Sequence, residues 1–209
     1  RGGSDVHLFC SGDLPLPEYH PRARAWMAHR LASDGVTVHA GHRAVVPDGF
    51  RGDRLTSGPV EWSTGQDPFE ADAVVWATGG VRPHTTFLPS EVLDADGFVR
   101  VDEHLRVPGH PEVFAIGDVA ASDPLRSSAR NWGWRVIVAN ARVTLDGRGA
   151  LKRFRAPEYR WGSILGRQDD GLVVVQPDGR RVRFPRWMAV PLLERAFVPW
   201  YLYGGLRRR

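Results

Sequence analysis

The chain has 209 residues, 42% hydrophobic and 25% charged, enough for a packed core and unlike a disordered or collagen-like polypeptide. Its single cysteine, Cys10, excludes an internal disulfide and fits a reducing, cytoplasmic setting. The net charge of +4 is uneven: residues 151–209 carry 12 Arg and 1 Lys against 5 acids, which leaves the first 150 residues at −4.

A basic C-terminal third suits an acidic partner or an anionic membrane, although a solvated arginine-rich surface is the plainer reading. No nucleic-acid partner is expected. No charged-then-apolar leader follows Arg1, and the absence of an initial Met raises the expectation of a longer parent chain.

In chain order, "DVHLFCSG" (5–12) reads as a short strand and "HPRARAWMAHRLASDG" (20–35) as a helix. In that helix Ala25, Met27, Ala28 and Leu31 recur near helical spacing, and Gly35 suits its stop. "VTVHAG" (36–41) is a second strand, so the rhythm is that of a parallel α/β sheet. "HRAVVPDG", "RLTSG" and "VEWSTG" read as short antiparallel strands with Gly-rich turns. The run Ala73–Ala77 inside "FEADAVVWATGG" suits a strand buried on both faces. Further strands are expected over Phe98–Val101 and Val113–Ile116, a helix over 127–145, and a hairpin over 171–184 turning at Pro177-Asp178-Gly179.

Three features stand in order: a strand ending in "ATGG" (77–80), the stretch "DGFVRVD", and a strand ending in "AIGD" (115–118). Together they resemble the FAD-dependent pyridine nucleotide-disulfide oxidoreductases, flavoproteins with two dinucleotide-binding domains. The resemblance implies an α/β fold: residues 1–76 as the later part of an NAD(P)-binding Rossmann-like domain and 77–149 as the later part of an FAD-binding one. Residues 150–209 would form a small C-terminal α+β domain. There "YRWGSILGRQDDGLVVV" resembles the subgroup of type II NADH dehydrogenases and apoptosis-inducing-factor-like quinone reductases.

The same resemblance implies site residues. Gly117 lets backbone approach the flavin cofactor closely, and the Asp118 carboxylate accepts a hydrogen bond from a ribityl hydroxyl. Val119 opens the following segment, whose N-terminal end would face the flavin or phosphate oxygens. Ala77, Thr78 and Gly79 would border FAD, with Gly80 near the nicotinamide. Ala129, Asn131 and Trp132, within "SARNWGW", occupy the place where the family has a glutamine-glycine beside the flavin; Trp132 or Trp134 would shape the acceptor site or pack in the core. No catalytic acid or base is nominated, because the cofactor carries the chemistry.

Some family features are missing from the chain. Neither G-x-G-x-x-G loop is present; "GRGALK" (147–152) lacks the third Gly and follows a predicted helix. The chain is therefore expected to begin after the second loop and to bind FAD poorly by itself. At the end of the first strand, Cys10 and Ser11 stand where an NAD-selecting acid belongs, with Asp13 slightly late. NADH and NADPH both stay open, and Arg22 or Arg24 could meet a 2′-phosphate. The redox cysteine pair and the His-x-x-x-x-Glu motif of disulfide reductases are absent. His39-x-x-His42 has no supporting ligand set for a metal.

The implied activity is hydride transfer from NAD(P)H to FAD, with electrons passed to a quinone or another small acceptor. A ferredoxin reductase of the same architecture and an inactive truncated chain with a basic binding tail are the alternatives. The apolar, aromatic tail "WMAVPLLERAFVPWYLYGGLRRR" suits either the inner membrane surface or packing within the protein or a homodimer. Two prolines and Glu194-Arg195 break it as a spanning helix.

Overall fold

A computed structural model describes residues 3–47, 55–77, 83–189, 191 and 195. In chain order its elements are β1 (Val6–Phe9), α1 (Pro21–Ser33), β2 (Val36–His39), β3 (Thr56–Val60), β4 (Phe69–Val74), β5 (Arg106–Val107) and β6 (His110–Phe114). Then come α2 (Gly133–Asp146), β7 (Arg167–Gln168), β8 (Gly171–Val175), β9 (Arg181–Phe184) and the single turn α3 (Arg186–Met188). Contacts divide the chain into two compact units, Arg1–Trp76 with Tyr159–Arg209, and Ala77–Glu158.

In the first unit β1 and β2 pair in parallel, from Val6 opposite Val36 to Phe9 opposite His39. The helix between them starts on Pro21, whose missing N–H costs nothing in a first turn. His20 caps it: its ring Nδ1 accepts the Arg22 N–H at 3.1 Å. The last turn is closed by Arg30 on Asp34 at 2.8 Å. Ala23 and Met27, four residues apart, are the buried stripe, whereas Ala25 is exposed. The inward face is set by what it meets: Ala23 packs with Tyr19 of the preceding loop and Val175 at the end of β8, with Leu16, Trp26 and Ile164 around them.

The segment 171–184 forms the expected hairpin, β8 against β9 from Leu172 opposite Phe184 to Val175 opposite Arg181. β3 and β4 make a two-stranded antiparallel ribbon with a register shift between Thr56 and Gly58. Its rings meet the parallel pair. Phe9 lies 4.9 Å from Phe69 and 4.5 Å from Trp62, centroid to centroid.

The apolar run toward residue 77 is not a doubly buried strand. β4 stops at Val74, and Val75 is 76% exposed. No residue of β4 is buried, and its sole strand partner among the described residues is β3. The other "HRAVVPDG" expectation reduces to one bridge, Ala44 with Trp62, within the described part of that stretch.

The second unit buries Phe98, Val99, Leu105, Val107 and Ala120. Phe98–Val101 is not a strand. Val99 makes two isolated bridges instead, antiparallel to Leu93 and parallel to Ala120. The strand expected over Val113–Ile116 lies earlier, as β6, and pairs with β5. The helix expected from residue 127 begins at Gly133. Its fully buried Asn140 bonds the His104 and Lys152 carbonyls at 3.0 and 2.9 Å and accepts the Lys152 N–H at 2.7 Å. α2 is thereby tied to both flanks of its unit.

Candidate functional site

β6 runs out through Ala115 and Ile116 into one 3-10 turn, Gly117–Val119. Gly117 has φ +85°, a left-handed conformation that a side chain would strain, and its added Cβ would also press on Ala129 at 3.3 Å. The turn is closed by the Ala120 N–H on the Gly117 carbonyl at 3.0 Å. It is anchored on Val99, which donates to Val119 and accepts from Ala121, both at 2.8 Å.

Asp118 stands exposed in this turn, and its carboxylate has no hydrogen bond or ion pair among the described residues. That separates it from an N-cap aspartate, which would close its acceptor sites on its own backbone. The carboxylate remains open to an outside donor, beside a residue with no side chain.

The neighbouring segment is folded tightly against the turn. Asp123 accepts the Leu125 and Ser127 N–H groups at 3.0 and 2.9 Å. Fully buried Ser128 accepts the Gly117 N–H on its hydroxyl at 2.9 Å, and its carbonyl accepts the Gly133 N–H at 2.8 Å. A Cβ on Gly133 would collide with that carbonyl, so α2 begins on a glycine for reasons of space. Trp132, just before it, takes φ +63°. Asn131 donates to the Ser127 carbonyl through both backbone and side chain.

Gly117, Asp118, Val119, Ala129 and Asn131 are therefore gathered around one turn, with Asp118, Val119 and Ala129 exposed. Trp132 is 38% and Trp134 50% exposed, and the Arg135 guanidinium lies over both rings, 4.3 Å from the Trp132 centroid. They are surface rings, not core. Ala77 is exposed; Thr78, Gly79 and Gly80 lie outside the described residues.

Two serines were not singled out from the sequence. Ser128 holds the turn, and Ser127 is 7% exposed with a buried hydroxyl that has no partner among the described residues. Two small polar residues ahead of a helix carry no pattern that separates a buried hydroxyl from a loop one.

Elsewhere, Arg24 pairs with Asp13 at 2.7 Å and also donates to the Pro15 and Leu14 carbonyls. Its guanidinium closes the loop after β1, and Arg24 and Arg30 together with Asp170 account for much of the pairing on α1. The Arg24 guanidinium holds the Asp13 carboxyl below the usual carboxylate range. Burial pushes the Cys10 thiol up, against the opposing pull of Arg24. Among the described residues no group of three or more His, Cys, Asp or Glu is arranged to hold a metal ion, and no helix is long and apolar enough to cross a membrane. The C-terminal tail, apart from Pro191 and Arg195, lies outside the described residues from 190 onward.

Residues 1–142 match the family described as pyridine nucleotide-disulphide oxidoreductase. The oxidoreductase ptaL of Pestalotiopsis fici is 52% identical over 46 residues, covering 22% of this chain and 12% of that protein. The alternative NAD(P)H-ubiquinone oxidoreductase C1 of Arabidopsis thaliana is 34% identical over 92 residues, covering 42% of this chain and 16% of that protein. The chain thus spans less than a fifth of the length of these two relatives. Among solved structures, LpdA from Mycobacterium tuberculosis shares the fold at TM-score 0.56 and 20% identity, covering 82% of this chain and 35% of that one. With a match that spans residues 1–142 of the 209, the chain belongs to the pyridine nucleotide-disulphide oxidoreductase family.

Proposed function

We propose that the chain serves an FAD-dependent NAD(P)H oxidoreductase, with residues 77–149 as the later part of its flavin domain and 1–76 as that of its nicotinamide domain. Residues 150–209 are the small C-terminal domain on this reading. The observation that carries it is the Asp118 carboxylate, exposed and without a partner among the described residues, beside side-chain-free Gly117. FAD bound there would supply hydride acceptance from NAD(P)H and electron transfer to the final acceptor.

The residues present fit that group. A ribityl chain offers hydroxyl donors, and Asp118 is an acceptor without a competing donor among the described residues. The orphaned Ser127 hydroxyl, on a segment bonded to the same turn through Ser128, is a further polar atom in want of a partner. Val119, Ala129, Asn131 and Trp132 border the turn; Ala77, Thr78, Gly79 and Gly80 complete the proposed contact set. A charge-assisted bond from Asp118 contributes about 1.5–3 kcal/mol. Asp118 orients the cofactor and moves no proton.

A quinone is the proposed acceptor, supported by the ubiquinone named for the Arabidopsis relative. For the nicotinamide side, Arg24 is already engaged, so Arg22, exposed at the start of α1, is the arginine proposed to meet a 2′-phosphate. The test is a visible spectrum of the protein extended upstream to carry both Gly-rich loops. A flavin spectrum bleached by NAD(P)H is expected, with Asp118→Ala weakening FAD binding about tenfold or more. A colourless protein, or full flavin retention by the variant, would overturn the proposal.

A further inference from the structure

The face of the β1–β2 pair turned toward the β3–β4 ribbon is built from rings, and three of them are imidazoles. His7 and Phe9, two residues apart on β1, share that face with His39 at the end of β2. Phe9 and His39 stack at 4.3 Å with their planes 11° apart. Phe69 of β4 sits 4.8 Å from His7 and 4.9 Å from Phe9. Buried Trp62, just after β3, meets Phe9 at 4.5 Å and stands edge-on to His42 at 5.0 Å. Within this layer His7 Nδ1 and His39 Nε2 lie 2.9 Å apart, a hydrogen bond in which one ring must carry the proton and the other the lone pair.

We infer that His7 and His39, with His42 beside them, form a proton-operated clasp between β1 and β2 that holds the ring layer on which Phe69 and Trp62 pack near neutral pH and loosens it in mild acid. The bond between His7 and His39 exists only while one of the two rings is neutral. When both are protonated, each nitrogen presents a proton and two like charges face each other at ring-to-ring 5.2 Å. His42 adds a third imidazole, 5.7 Å from His39, with its own Nδ1 held on the Ala40 carbonyl at 2.7 Å.

Among the described residues no counter-charge acts on His39. The ribbon presents Phe69 and Trp62 to the layer, while their sequence neighbours Glu70 and Glu61 are exposed; Asp5, before β1, and Arg43, after His42, are exposed as well. The ionisable groups acting on His39 are His7 and His42, and desolvation with their repulsion holds the His39 imidazole below its ordinary basicity. The sign follows. The unfolded chain takes up a proton at a higher pH than the folded one does, so stability is present above about pH 6.5 and is lost as pH falls through the lowered His39 value.

The test is urea unfolding of the chain at pH 7.5 and pH 5.5, together with His39→Phe and the control His29→Gln, an exposed imidazole on α1. The wild-type midpoint is expected to fall at pH 5.5, the control to fall equally, and His39→Phe to lose most of the drop. An undiminished drop in His39→Phe would overturn the clasp. Imidazole NMR titration of the unaltered chain gives a reading that needs no variant. His39 is expected to take up its proton at a lower pH in the folded chain than in urea. Equal midpoints in the folded and unfolded chain would equally overturn it. Neither measurement depends on FAD or NAD(P)H, so its failure is separate from that of the proposed function.

Discussion

The Gly117 N–H donates to the Ser128 hydroxyl at 2.9 Å, and both residues are buried. That bond fixes the backbone from which Asp118 projects. Replacing Ser128 by Ala leaves a buried amide without a partner, at a cost of about 1–3 kcal/mol. Ser127→Ala, which removes a hydroxyl with no partner among the described residues, is expected to change stability by less than about 0.5 kcal/mol. Urea midpoints of the two variants check the contrast; equal losses would deny Ser128 its role.

Gly133→Ala should destabilise the chain by about 2 kcal/mol or more, because the new methyl group meets the Ser128 carbonyl and backbone must shift. Thermal unfolding reads this directly. A neutral result would mean that α2 can begin without the close approach seen here.

Asn140→Leu is expected to cost about 3 kcal/mol. The substitution keeps the branched heavy-atom shape but strands two carbonyls and one amide, those of His104 and Lys152. Asn140→Asp should also be harmful at pH 7, since its carboxylate cannot donate to either carbonyl, and should recover partly in acid as it gains a proton. Denaturation midpoints at pH 7 and pH 4.5 would show the recovery or its absence.

Asp118→Ala should leave stability within about 0.5 kcal/mol of the parent, because the carboxylate is exposed and makes no bond among the described residues. A large loss would assign Asp118 a structural role in place of the proposed cofactor contact.

Cys10 should alkylate more slowly in the folded chain than in urea at the same pH. Burial raises its thiol pKa, so less thiolate is present near neutrality. Its Sγ also lies 3.5 Å from the Gly12 carbonyl and 3.7 Å from that of His39. Timed iodoacetamide labelling followed by mass measurement reads the difference; equal rates would show an open thiol.

Local signals carried much of the fold. α1 was legible because an apolar period and the Gly35 stop are written within one segment, and the β8–β9 hairpin because β-rich runs flank Pro177-Asp178-Gly179. The inward stripe of α1 was less so, since Ala23 and Ala25 look alike until Tyr19 and Val175 are placed. The run at 73–77 was misjudged for a related reason. Hydrophobicity records what a strand tolerates, while burial depends on what packs over it, and no residue of β4 is buried. The start of α2 escaped because helical periodicity continues upstream through residues whose backbone is instead held by Asp123 and Ser128. At the proposed site, Gly117-Asp118 stands out in the sequence as a glycine and an acid at a strand end. Ser128 does not, because its importance comes from a bond across 11 residues.

The contacts around Asn140 have a topological consequence. His104 Nδ1 meets the Lys152 carbonyl at 3.0 Å, Arg153 pairs with Glu103 at 3.1 Å, and the Phe154 amide returns to the Glu103 carbonyl at 2.7 Å. The polypeptide between residues 103 and 154 is thus an excursion that leaves and re-enters at one point. Its closure entropy is met once, at the neck, and the glycine-aspartate turn rides inside the closed circuit. A protease nick within the circuit would leave both cut ends held, and joining the chain anew across the neck would shorten it without dragging the two flanks to new positions.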